Sequence, residues 1–352
     1  MVPAPEVAIV VGAYSRGTYL LDAVRSVLDQ TLPRDRWELL VVKNFRDETI
    51  DAALARDGVT TRWDETPRVG TWLLQAIRAT RAPIVTLLDD DDLYLPGRLA
   101  RIVETFRSHP EVGFYRNRVE IVDENGGPVP VAKWAPRGTD PYFDASGPVL
   151  LRPGEKSDVV DLLYRRTRVS FNSSTMAFRR ELLDGRLGEH FAASRLPDSS
   201  LLLSAVLSPY GIYLDDQRET RHRLHSQNVT RGVGWLRWAV ESHRAFADEA
   251  REFGRLDLER YHDGLAIHFE RLSRSGELVQ AVAERSGRRE VVGRAADYAR
   301  FLARNPAERS LSLDVWAAEA YAATYLVSPS LAGRVHRARE GRRIAREWGG
   351  QP

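Results

Sequence analysis

The chain has no cysteine and only two methionines among its 352 residues. That excludes disulfides, thiolate metal sites and a cysteine nucleophile, so the core must come from packing and any chemistry from oxygen and nitrogen groups. It also lacks a charge excess: 51 Lys+Arg against 49 Asp+Glu leave +2, which gives no electrostatic reason to expect nucleic acid. No stretch approaches the roughly 20 apolar residues that span a bilayer. The N-terminal "MVPAPEVAIVVGAY" has neither the basic region nor the long apolar run of a secretory signal. These absences lead us to expect a cytoplasmic protein. What is present is ordinary for a globular chain, 43% hydrophobic and 28% charged, with length for two domains of common size.

The first third alternates short apolar runs with amphipathic segments. Val7–Val11, Leu39–Val42 and Ile84–Leu88 read as strands apolar on both faces. Leu20, Leu21, Val24, Val27 and Leu28 recur at helical spacing before Pro33, and Trp72 to Thr80 reads as another helix. Strands of this kind separated by helices predict an α/β fold, with a mostly parallel sheet flanked by helices and ligands outside the carboxyl ends of its strands. Residues 123–157 break any period with repeated Gly and Pro, the composition of a functional loop or lid. From about Trp235 onward, apolar residues return at three and four, in "WLRWAVESHRAFADEAREF" and again in "VWAAEAYAATYLV", so this region is expected to be helical.

The stretch "IVTLLDDDDLY" sets Asp89, Asp90, Asp91 and Asp92 directly after an apolar strand. An acidic run is commonly a solvated turn. At the end of a strand buried on both faces, adjacent charges are costly unless compensated. Hard Mg²⁺ or Mn²⁺ is a natural compensator, since it takes oxygen ligands and binds through one or two carboxylates together with a substrate phosphate.

The neighbouring residues narrow this reading. "VAIVVGAYSRGTYLLDAVRSVLDQT", "ELLVVKNFRDE", "IVTLLDDDDLYLPGRL", "FNSSTMAFRRELL", "LPDSSLLLSAVLSPYGIYL" and "RHRLHSQNVT" resemble, in order and spacing, the motifs of family 2 glycosyltransferases of the GT-A fold. The resemblance runs from about Val7 to Thr230. It implies a GT-A domain over residues 1–230, with a nucleotide-binding half at about 1–120 and an acceptor-binding half at about 121–230, followed by a helical region over 235–352. It further implies a metal-dependent inverting transfer of a sugar from a nucleotide-diphosphate sugar to an acceptor hydroxyl, in surface polysaccharide, glycoconjugate or glycolipid synthesis. Carried over residue by residue, Asp89 contacts ribose and Asp91 holds Mn²⁺ or Mg²⁺ on the diphosphate, with Asp89, Asp90 or Asp92 sharing either task. Asp198 is the general base. His225 ligates the metal or contacts phosphate, and Arg221 or Arg223 helps with the phosphate charge. Ala13 and Tyr14 line the base or ribose, with Arg16 on the same nucleotide-facing loop.

This chain departs from the family pattern in several places. Val42-Lys43-Asn44-Phe45-Arg46 stands where the family has V-V-D-D-G-S. Asn44 can still offer its carbonyl oxygen to a uracil ring, so a uridine nucleotide is favoured. Arg68, Gly70 and Trp72 stand where a glycine-containing helix start normally lies beside the sugar. Asp198 between Pro197 and Ser199 also suits a helix N-cap, and Ser15-Arg16 also suits a helix start. A nucleotidyltransferase would need a glycine-rich basic loop after the first strand, and "GAYSRGTY" offers only Arg16. Lys43 keeps open a catalytically inactive protein that retained the fold for binding or assembly. Trp134, Tyr142 and Phe143 suit a saccharide, lipid-linked or other acceptor. The basic tail "RVHRAREGRRIAREW" suits either a solvated helix end or peripheral contact with the inner face of an anionic membrane. The apolar stripes of the C-terminal helices suit a homodimer.

Overall fold

The computed structural model describes residues 4–130, 147–156, 159–166, 169–225, 233–284 and 287–305, with positions 324 and 328. The chain divides into two compact units, Met1–His225 and Ser226–Pro352. Trp134, Tyr142 and Phe143, the segment "VWAAEAYAATYLV" apart from Thr324, and the basic tail lie outside the described residues.

The first unit is a nine-stranded mixed sheet with helices against it. Strands β1 (Val7–Ala13), β2 (Trp37–Lys43), β3 (Thr60–Trp63) and β4 (Ile84–Asp89) are mutually parallel in the order β3-β2-β1-β4. β1 and β4 are buried along almost their whole length, as a strand covered on both faces must be. β3, with the polar sequence TTRW, is the exposed edge, and the periodicity of the sequence did not reveal it. Helices α1 (Leu20–Leu28), α2 (Glu48–Arg56) and α3 (Val69–Ala79) connect these strands. α3 begins earlier than the run from Trp72 suggests.

The chain proceeds outward from β1 to β3 and then returns to the other side of β1 as β4. The carboxyl ends of β1 and β4 therefore flank a topological switch point, the place where sheets of this kind form a ligand crevice. After β4 come β5 (Leu93–Tyr94), α4 (Arg98–Ser108), β6 (Val112–Val122), β7 (Val149–Leu151), β8 (Met176–Arg179), α5 (Gly185–Ala193), α6 (Pro197–Leu207) and β9 (Gly211–Arg223). β8 inserts antiparallel between β4 and β6, and β9 runs parallel to β6. The core under the crevice is built from Val7, Ile9, Val11, Leu20, Val24, Leu39, Val41, Leu88 and their neighbours. Each such side chain is worth about 1.5–3 kcal/mol on full burial.

The second unit, where described, is helical: α7 (Val233–Glu252), α8 (Leu256–Ala283) and α9 (Arg288–Arg304). Leu278, Val282, Val291, Tyr298 and Leu302 form a core of its own. Polar groups are buried here too. His243 and His262 stack with their Nδ1 atoms 3.0 Å apart, and Glu249 is 1% exposed. No described helix is long and apolar enough to cross a membrane.

Candidate active site

β4 ends at Asp89, and a tight turn closed by Asp92 N–H donating to Asp89 O (3.2 Å) brings the four carboxylates together at the switch point. Asp90, Asp91 and Asp92 are buried and Asp89 partly so. Each has its own partner. Asp89 Oδ1 accepts from Ser173 Oγ (3.0 Å), and its backbone N–H donates to Ser174 Oγ (3.0 Å). Arg16 donates from Nε and Nη2 to Asp90 (3.3 and 3.2 Å) and from Nη2 to Asp91 Oδ2. His225 Nε2 lies 2.9 Å from that same Asp91 oxygen. Asp92 Oδ1 accepts from Arg223 N–H (3.1 Å) and lies 2.9 Å from His222 Nδ1, while its Oδ2 accepts from Asn172 Nδ2 (2.9 Å). The register Leu93↔Arg221 between β5 and β9 explains the last set, since it carries His222 and Arg223 past the aspartate turn.

Asp89, Asp91 and Asp92 each present an oxygen within 4.8 Å of the others, a set of hard donors suited to a divalent cation. The third carboxylate of this set is thus Asp92, with Asp90 paired to Arg16. The electrostatics express the same crowding. Burial, then the charges of Asp92 and Asp91, push the Asp89 carboxyl well above its usual range. Burial and the Asp91 charge raise Asp90 to about 7. Burial also acts upward on Asp91, but the His225 hydrogen bond and the Arg16 charge outweigh it and hold that carboxyl low. Arg16 thus places a positive charge of the chain itself against two of the four carboxylates.

Asp198 is the second residue of α6, with Leu196 at the N-cap, so it is not itself the cap. Its Oδ1 accepts from Ser199 N–H (2.7 Å) and its Oδ2 from Asn172 N–H (3.1 Å). Burial raises it to about 6 against the lowering effect of these backbone donors, which suits a carboxylate that exchanges a proton near neutrality.

The remaining residues singled out in the sequence separate into two groups. Ala13 is buried at the end of β1 and offers only backbone, whereas Tyr14 beside it is 52% exposed. Ser15 (φ 59°) turns the loop so that its N–H donates to Asn44 Oδ1 (2.6 Å), tying the ends of β1 and β2 together. Asn44 Oδ1 thus keeps one lone pair for a ligand. Lys43 turns inward to Asp51 (2.8 Å) and the Phe45 carbonyl (2.6 Å). Arg68 makes no ion pair with the aspartates and donates instead to Ala193 O (2.9 Å), while Gly70 N–H donates to Ser194 O (3.2 Å). Together they clamp the start of α3 to the end of α5. Trp72 lies against Gly12, where an added Cβ would meet its ring at 2.7 Å. Asn172, Ser173, Ser174 and His222 were not singled out as site residues, although the polar cluster "FNSST" ahead of a strand was visible.

The mixed sheet with carboxylates gathered at its switch point, and Asp198 joined to them through Asn172, is the architecture of the GT-A class of transferase folds. The chain belongs to the Glycosyl transferase family 2, whose model matches residues 8–185, half of its length. Asp198, His222 and His225 lie beyond that match. Protein CgeD of Bacillus subtilis is 26% identical over 132 residues, 34% of this chain and 30% of the relative. An uncharacterized glycosyltransferase of Nostoc sp., alr2836, is 27% identical over 131 residues, 34% of this chain and 38% of the relative. The matches thus span about a third of these curated relatives. Among solved structures, S. aureus TarS 1–349 in complex with UDP-GlcNAc superposes with a TM-score of 0.53 at 14% identity, covering 96% of this chain and 92% of that one. The mannosyltransferase PcManGT from Pyrobaculum calidifontis, in complex with GDP-Man and Mn²⁺, gives 0.50 at 20% identity, covering 94% and 87%. Both are similar in fold.

Proposed function

We propose that the protein is a metal-dependent inverting glycosyltransferase that moves a sugar from a nucleotide-diphosphate sugar, with uridine as the base, to the hydroxyl of a saccharide, lipid-linked or other acceptor. The observation that carries this reading is the meeting of Asp89, Asp91 and Asp92 within 4.8 Å at the switch point, with Asp198 one hydrogen-bonded residue away. Asp91 and Asp92, with Asp89, would hold Mn²⁺ or Mg²⁺, and Asp89 would also reach the ribose. The bound ion neutralises charge developing on the leaving diphosphate. Arg16 adds a second positive charge for the same phosphates, and His225 fixes the orientation of Asp91. Ala13, Tyr14 and Asn44 line the nucleotide. Asp198 accepts the proton of the acceptor hydroxyl as its oxygen attacks the anomeric carbon, and single displacement inverts that carbon.

The neighbours in fold carry UDP-GlcNAc in one case and GDP-Man with Mn²⁺ in the other. The test is therefore a panel of UDP- and GDP-sugars with and without Mn²⁺, reading sugar release or transfer and thermal shift. Asp91→Asn should fold normally and lose Mn²⁺-dependent nucleotide binding and turnover, because an amide supplies no charge to offset the cation. Wild-type turnover by that variant with Mn²⁺ would remove the metal assignment.

A further inference from the structure

Asn172 is one of two non-glycine residues with positive φ among the described residues, and the other, Ser15, lies on the exposed β1 loop. Its backbone sits at φ 68° and ψ 96° and the residue is 4% exposed. The ψ lies outside the small left-handed region that asparagine tolerates, so this conformation costs on the order of 1–3 kcal/mol unless its surroundings enforce it. Glycine would adopt it more cheaply. That an asparagine stands there, fully enclosed, points to work for its side chain.

All of its polar atoms are engaged. The N–H donates to Asp198 Oδ2 (3.1 Å), and Nδ2 donates to Asp92 Oδ2 (2.9 Å) and lies 3.0 Å from His222 Nδ1. Oδ1 accepts from Ser174 N–H (2.8 Å), and the carbonyl accepts from Thr175 Oγ1 (2.7 Å). Ser174 in turn accepts the Asp89 N–H, and Ser173 donates to the Asp89 carboxylate. The positive φ allows one residue to aim its N–H at the acidic side chain of α6 and its side chain at the carboxylates after β4.

We infer that Asn172 is a positioning residue that sets the Asp92 carboxylate for the cation and holds it in fixed relation to Asp198. The inference rests on the proposed reading of the site. It is separable from that reading because cation binding can be measured without turnover.

The experiment compares Asn172→Gly and Asn172→Ala with wild type, reading melting temperature, Mn²⁺ affinity by calorimetry in the presence of a nucleoside diphosphate, and kcat and KM. Glycine relieves the backbone and keeps the N–H on Asp198, while losing the bridge to Asp92. The expected result for Asn172→Gly is a melting temperature above that of Asn172→Ala, with Mn²⁺ affinity lower by about 10- to 100-fold, the usual effect of removing a group that orients a ligand. Its kcat should fall with the affinity, while the KM for the acceptor changes little. Asn172→Ala keeps the strained backbone, so it should share the loss of affinity and also lose stability. If Asn172→Gly binds Mn²⁺ as wild type does, the inference is overturned and the asparagine only shapes the loop. If wild type transfers no sugar from any donor but the glycine variant still loses Mn²⁺ affinity, the positioning role stands and the proposed reaction falls.

Discussion

At the scale of single residues, Asp198 offers the sharpest test of the chemistry. Its pKa is raised from 3.8 to about 6 by burial. A base must be unprotonated to accept a proton, so kcat/KM should rise about tenfold per pH unit below pH 6 and level off above it. A profile flat between pH 5 and 7 would place the proton transfer elsewhere. Asp198→Asn keeps the shape but turns one of the two acceptor oxygens, which now face Ser199 and Asn172 N–H groups, into a donor. The variant should lose a modest amount of stability, of the order of 1–3 kcal/mol for the unmatched donor, and two to four orders of magnitude in turnover. Near-normal rates would leave Asp198 as part of the scaffold only. Asp89, Asp91 and Asp198 could be singled out as candidates from the sequence because each stands in a motif with local spacing. Asn172 and His222 could not, because what they do depends on β8 entering next to β4 and on the β5–β9 register. Both are long-range facts, and an asparagine with positive φ carries no local signature.

At the scale of elements, the start of α3 is held against the end of α5. Thr71 Oγ1 donates to Ala192 O (2.8 Å), Arg68 Nη1 to Ala193 O (2.9 Å) and Gly70 N–H to Ser194 O (3.2 Å), so one helix start satisfies the last carbonyls of another helix. Gly70 permits this approach, since a Cβ there would stand 1.9 Å from Phe191 O. Backbone cannot yield as a flexible side chain can. Gly70→Ala should therefore cost roughly 1–3 kcal/mol, lowering the melting temperature by several degrees, while leaving Mn²⁺ affinity at the aspartates intact. An unchanged melting temperature would show that α3 and α5 can move apart freely. The same contact shows why the elements were unevenly legible. Buried strands such as β1 and β4 announce themselves through continuous apolar runs, whereas β3 is a polar edge and α2 has only Ile50 and Leu54 buried. Periodicity reports burial, and where little is buried it is silent.

At the scale of the whole chain, each unit holds a core of its own, and the two differ in what they bury beneath it. In the first unit the buried carboxylates Asp90, Asp91 and Asp92 gather at the turn after β4, where Arg16 pairs with two of them. In the helical unit Glu249 is 1% exposed, and burial followed by the Glu252 charge raises it from 4.5 to about 8. The folded state keeps a proton that the unfolded state gives up between those values, so the contribution of Glu249 to stability is full below pH 4.5 and is lost as pH rises toward 8. His243 acts in the opposite sense, because burial lowers it from 6.5 to about 4 and acidification below 6.5 charges only the unfolded form. Burial lowers His262 as well. Above pH 6.5 the folded histidines stay neutral while the unfolded ones give up their remaining charge, a smaller change of opposite sign, so Glu249 sets the larger part of the slope between pH 6.5 and 8. We expect the helical unit to lose about 1 kcal/mol across that window, and Glu249→Gln to abolish the loss, since a neutral amide has no proton to release. Helical circular dichroism followed through thermal unfolding at pH 6.5 and 8, for wild type and variant, measures it. A nucleoside diphosphate with Mn²⁺ should instead raise the melting of the first unit, in proportion to its occupancy of the aspartate cluster. Two transitions that respond separately to pH and to ligand would identify residues 1–225 and 226–352 as separate cooperative units, whereas a single transition moved equally by both would show that they unfold as one.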